Sequence, residues 1–191
     1  MRFVVPKVSS EEARRILNKR GRFSLRRKRE MRKIELLYLP YYVHKVVVRQ
    51  GDEEHEVVAC TDGIEGGFSF FNLDGISLSD EVPGEVIEFM ISPEEAKRLC
   101  LENLRWHLVR QGLRLKVRAR VKEVRETWKV YYPYWVAYFK GAGGYDFRVA
   151  DAVTGEAQGV RMRKVFLKAF SRGSAIADDE NSPQRARSTQ R

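Results

Sequence analysis

Two stretches of this chain are written twice, in the same order. Val8–Ile16 (VSSEEARRI) returns as Ile91–Leu99 (ISPEEAKRL), 83 residues later. Tyr38–Val43 (YLPYYV) returns as Tyr131–Val136 (YYPYWV), 93 residues later. Two matches in one order, with a single length change of 10 between them, predict a duplicated unit rather than one irregular domain. In each copy the first match carries a helix start. Ser9 with Glu12 and Ser92 with Glu95 have the spacing of a capping box, in which the serine oxygen takes up a free amide of the first turn. Pro93 suits the first helical position, where its missing N–H costs nothing.

The rest of each unit reads as strand. Ile34–Arg49 and Thr127–Lys140 are aromatic and β-branched, and each is followed by a glycine turn. Further strands are expected at 55–60 and 67–71 in the first unit, and at 145–152 and 158–168 in the second. A basic-faced strand is expected after Gly112, where Leu113, Leu115, Val117, Ala119 and Val121 alternate with Arg114, Lys116, Arg118, Arg120 and Lys122. The expected class is α+β: two tandem units, each a helix followed by a three- to four-stranded antiparallel sheet. The units occupy residues 1–72 and 91–170, with an acidic connector at 73–90 and a disordered tail at 171–191.

A likeness supports that fold. A helix, then a Tyr-x-Pro-Tyr-Trp-Val strand, then Phe147–Glu156 (FRVADAVTGE) resembles the PepSY-type repeat. The resemblance implies a cystatin-like fold for the second unit and, more loosely, for the first. It implies no particular chemistry, because function resides in sites rather than folds.

Charge is the clearest functional signal. The chain carries a formal +10, and residues 14–33 alone hold eleven bases against one acid. Residues 51–95 hold thirteen acids and no Lys or Arg; residues 105–129 are basic again. Blocks of this kind either pair with each other or meet an outside partner. The expected anion-binding residues are Arg22, Arg26, Arg27, Lys28, Arg29, Arg118 and Arg120, drawn from the Arg14–Lys33 run and the Arg114–Lys122 face. The expected partner is a nucleic acid or an acidic protein surface, and no base-reading motif accompanies the run. A second reading pairs the charges internally in a protein–protein or homo-oligomeric module.

Catalysis and metals find little support. His44, His55 and His107 are scattered, and Cys60 and Cys100 form neither metal spacing nor a disulfide framework. No P-loop, nucleophile elbow or Rossmann fingerprint is present. No cofactor is expected. A third reading, an enzyme or small-ligand carrier, requires a pocket in which Tyr41, Tyr134 or His44 meets a carboxylate such as Asp151. No apolar run is long enough to cross a bilayer, and the N-terminus lacks a secretory h-region, so a cytoplasmic setting away from the membrane is expected.

Overall fold

The computed structural model describes residues 2–19, 30–72, 74–116, 118–141 and 144–180. Its elements are β1 (Arg2–Val4), α1 (Ser10–Asn18), β2 (Glu30–Gln50), β3 (Glu53–Asp62), β4 (Phe68–Phe70), β5 (Leu78–Ser79), β6 (Glu85–Val86), α2 (Pro93–Leu115), β7 (Ala119–Gly141), β8 (Gly144–Asp151) and α3 (Val160–Glu180). All strands belong to one mixed eight-stranded sheet. Two cystatin-like units in tandem are therefore not what the chain forms.

The reason lies in β2 and β7. Both carry the Tyr-x-Pro segment, and they pair antiparallel along nearly their whole length, from Glu30 opposite Lys140 to Gln50 opposite Ala119. Leu39 faces Tyr132 at the centre, with Pro40 opposite Tyr131 and Tyr38 opposite Pro133. Antiparallel pairing puts the start of β2 beside the end of β7. The helix that precedes β2 must then lie against the hairpin that follows β7, and the converse holds for α2. Leu17 of α1 accordingly packs on Ala137, Phe139 and Ala150. Leu104 and Leu108 of α2 pack on Val46, Val48 and Val57. Each helix therefore packs on strands of both halves: Met31 and Ile34 of β2 also lie in the cluster of Leu17, and Val121 and Val124 of β7 in that of Leu104 and Leu108.

Matched positions make matched bonds. Trp135 donates to the Val8 carbonyl at 2.8 Å, and Tyr42 donates to the Ile91 carbonyl at 3.0 Å. β1 pairs parallel with β7 at Val130 and Tyr131, and β6 pairs parallel with β2 at Leu37 and Tyr38. The turns after β3 and β8 also agree: one Oδ1 of Asp62 accepts from Ile64 and Glu65, and one Oδ1 of Asp151 accepts from Val153 and Thr154. Gly66 (φ +81°) and Gly155 (φ +76°) close these turns in the left-handed region, which a glycine enters without steric cost. Ser9 and Ser92 cap their helices as the spacing predicts, accepting from Glu12 and Glu95.

Three segments differ from their sequence reading. Residues 113–115 continue α2, and Lys116 ends it in the left-handed conformation (φ 56°). The alternation there does not become strand: the β2–β7 ladder ends at Gln50 opposite Ala119, where β2 turns into β3. The strand expected at 158–168 is instead the start of α3, which runs to Glu180 through most of the first half of the expected tail. Met162, Val165, Phe166, Ala169 and Phe170 recur at helical spacing and pack on the central sheet. The connector contributes β5 and β6 to the sheet.

The Tyr-rich strands are covered on both faces. Leu37, Leu39, Tyr41, Val43, Val130, Tyr134 and Val136 lie in the core with Phe166 of α3. Tyr38 and Tyr131, on the opposite face, gather round Phe3. No helix among the described residues is long and apolar enough to cross a membrane.

Candidate functional site

Arg22, Arg26, Arg27, Lys28 and Arg29 lie outside the described residues. Arg118, just before β7, and Arg120, at its start, are both exposed. With Arg49, Gly51, Lys116 and the C-terminal half of α2 they line a cleft of about 750 Å³. Leu108, Val109 and Leu113 supply its apolar wall, and Leu113 is 79% exposed.

The basic strand divides into a neutralised part and an open part. Lys122 donates to Glu54 at 2.7 Å and Arg125 to Glu56 at 2.6 Å; Lys45 also reaches Glu56, at 3.3 Å. These hydrogen bonds hold both glutamate carboxyls below their ordinary range, Glu54 through Lys122 and Glu56 through Arg125 and Lys45. The acidic and basic blocks thus meet within one chain, although such exposed pairs contribute only a little to stability. Arg120 stands directly opposite Arg49 across the β2–β7 ladder. Like charges at directly opposed positions repel. Glu54 faces Arg49 from the other side, but its carboxylate is engaged by Lys122. Arg49 otherwise reaches Asp52, at 3.9 Å and fully exposed. Arg118, Arg120 and Lys116 make no ion pair among the described residues. Sequence reading did not single out Arg49; only the strand register brings it to the cleft.

A second concavity lies over the centre of the sheet. Tyr41, Tyr132, Tyr134, Cys60 and Asp151 line a cavity of about 410 Å³ beneath Phe70, Phe71 and Ile76. The buried hydroxyls of Tyr41 and Tyr134 bond to each other at 2.9 Å. Tyr132 donates to both oxygens of Asp151, at 3.1 and 3.0 Å. Burial pushes all three phenols upward, and it raises the Cys60 thiol to about 11. At neutral pH these groups are hydrogen-bonding neutral side chains, not activated nucleophiles.

His44 does not join them. It is fully buried, its Nδ1 3.0 Å from the Thr127 hydroxyl, and its Nε2 has no partner. Burial first, then the Lys97 charge, lowers its pKa to about 4. Cys100 is also buried, with its thiol pushed up to about 11 by burial. Among the described residues no three His, Cys, Asp or Glu side chains group as a metal site. The structure therefore brings Tyr41, Tyr134 and Asp151 together and leaves His44 apart. Compared with models of known families, with curated proteins and with solved structures, the chain matches none.

Proposed function

We propose that the protein is a non-catalytic binding module whose basic cleft takes an acidic protein segment carrying apolar side chains. The observation that carries this reading is the Arg49–Arg120 opposition. Arg49 and Arg120 occupy directly opposed ladder positions, and Arg118 and Lys116 line the same cleft. Glu54, opposite Arg49 on its other side, is hydrogen-bonded to Lys122, which leaves Arg49 a 3.9 Å pair with the exposed Asp52. An incoming carboxylate relieves that repulsion through charge-assisted hydrogen bonds to the arginines. The exposed Val109 and Leu113 beside the charges favour a protein segment over a bare phosphate backbone, which would leave them in water.

A second copy of the chain fits the same description. Leu78, Val82 and Val86 are exposed. They stand among Asp80, Glu81, Glu85 and Glu88 in the connector. Seating that segment in a neighbour's cleft makes a head-to-tail contact, which closes into a ring or grows.

Fluorescence anisotropy with three probes tests the reading: an acidic peptide containing leucines, the same peptide with serines for leucines, and an oligonucleotide of equal charge. The leucine peptide is expected to bind most tightly. Arg118→Glu with Arg120→Glu is expected to weaken it at least tenfold. Light scattering across a concentration series reports self-association, and the same double substitution abolishes it if the second copy is the partner. Tighter binding of the oligonucleotide, with a steep salt dependence, transfers the cleft to nucleic acid.

A further inference from the structure

The cavity over the sheet centre is independent of the basic cleft, and its chemistry differs. Five aromatic rings line it: Tyr41, Tyr132, Tyr134, Phe70 and Phe71. Three of these tyrosine and phenylalanine rings pack edge-on against Tyr132 or tilt against it, so the wall is a continuous aromatic surface. A volume of about 410 Å³ falls within the range of sites for small organic molecules.

Its one half-buried carboxylate is Asp151. Oδ1 accepts from the Val153 and Thr154 amides and from Tyr132, whereas Oδ2 accepts only the Tyr132 hydroxyl at 3.0 Å. A carboxylate oxygen has room for two donors, so Oδ2 can accept one more. No Lys or Arg forms an ion pair with Asp151 among the described residues. Nearby, the Tyr41–Tyr134 pair has a hydrogen to spare. Whichever hydroxyl donates, the other keeps its own O–H for an acceptor.

A carboxylate engaged in no ion pair among the described residues, set in aromatic walls, attracts an organic cation through both the carboxylate and the ring faces, although the Lys7 ammonium lines the same cavity. Lys7 forms no ion pair with Asp151, and it is the group a ligand's own carboxylate would meet in this cavity. We infer that this cavity binds a small organic ammonium compound, its nitrogen held by Asp151 and its carbon skeleton against Tyr41, Tyr132 and Tyr134. The ammonium group could belong to a simple amine or to a zwitterionic amino acid, and Lys7 distinguishes the two.

Isothermal titration of the whole chain tests this with four compounds of one shape: phenethylamine, phenylalanine, 2-phenylethanol and phenylacetate. The two ammonium compounds are expected to bind at least tenfold more tightly than the alcohol and the acid. Phenylalanine binding tighter than phenethylamine, with that advantage lost in Lys7→Ala, identifies an amino acid; the reverse order identifies a simple amine. Asp151→Asn keeps an oxygen for the Val153 and Thr154 amides while removing the charge, and is expected to lower ammonium affinity at least tenfold. Ile76→Trp, which fills the cavity from its rim, is expected to remove binding without touching the turn. It serves the test if Asp151→Asn does not fold. Equal affinity for the alcohol or acid, unchanged ammonium binding in Asp151→Asn, or no binding of any compound at millimolar concentration overturns the inference.

Discussion

Replacing His44 by glutamine should change how stability depends on pH. His44 is fully buried, with its pKa lowered from 6.5 to about 4 chiefly by burial and further by Lys97. In the folded protein the ring stays neutral, whereas the unfolded chain takes up a proton as pH falls below 6.5. Between 6.5 and 4 the unfolded state thus binds more protons, and stability falls as the solution is acidified. The contribution is fully present above about pH 6.5. At about 1.4 kcal/mol per pH unit the whole gap amounts to roughly 3 kcal/mol, of which about 2 kcal/mol is lost between pH 7 and pH 5. Urea unfolding at pH 7, 6, 5 and 4.5 measures this directly. The native protein should lose about 2 kcal/mol more than His44→Gln over the interval from 7 to 5. Glutamine does not titrate, so the groups common to both proteins cancel in the comparison. Parallel stability curves for the two proteins would refute the argument, because they would mean that His44 is protonated equally in both states.

The Tyr41–Tyr134 bond gives a second test. Tyr41→Phe or Tyr134→Phe leaves one buried hydroxyl unpartnered and is expected to cost about 1–3 kcal/mol, while the double variant costs clearly less than the two together. Additive losses in denaturant titrations would show that the bond is not formed. Phe166, fully buried where α3 meets the sheet, should cost about 3–5 kcal/mol as alanine. A loss below 1 kcal/mol in thermal unfolding would mean that α3 does not dock as described. Cys60 and Cys100, buried with thiols raised to about 11, should resist an aromatic disulfide reagent in the native protein and react once it is unfolded. Rapid native labelling, followed by absorbance, would contradict their burial.

Local chemistry was written in the chain. The serine caps of α1 and α2 depend on residues three apart, and the aromatic strands on their own period, so both could be read without the rest of the molecule. The helical spacing of Met162, Val165, Phe166, Ala169 and Phe170 was equally local, yet a turn and strand reading hid it. The matched segments also stood in plain sight, but not the way they join. Whether the two segments fold apart or share one sheet depends on how far β2 and β7 pair, a contact between residues about a hundred positions apart that no local pattern encodes. Once that register is set, α1 must cover the β7–β8 hairpin and α2 the β2–β3 hairpin. The same register decides the sites. It sets Arg49 against Arg120, gives Glu54 to Lys122, and brings Tyr41 within bonding distance of Tyr134. Sequence determined which residues carry charge and aromatic surface; only long-range strand pairing decided which of them meet, because the energy of a charge or a hydroxyl depends on its neighbours in space.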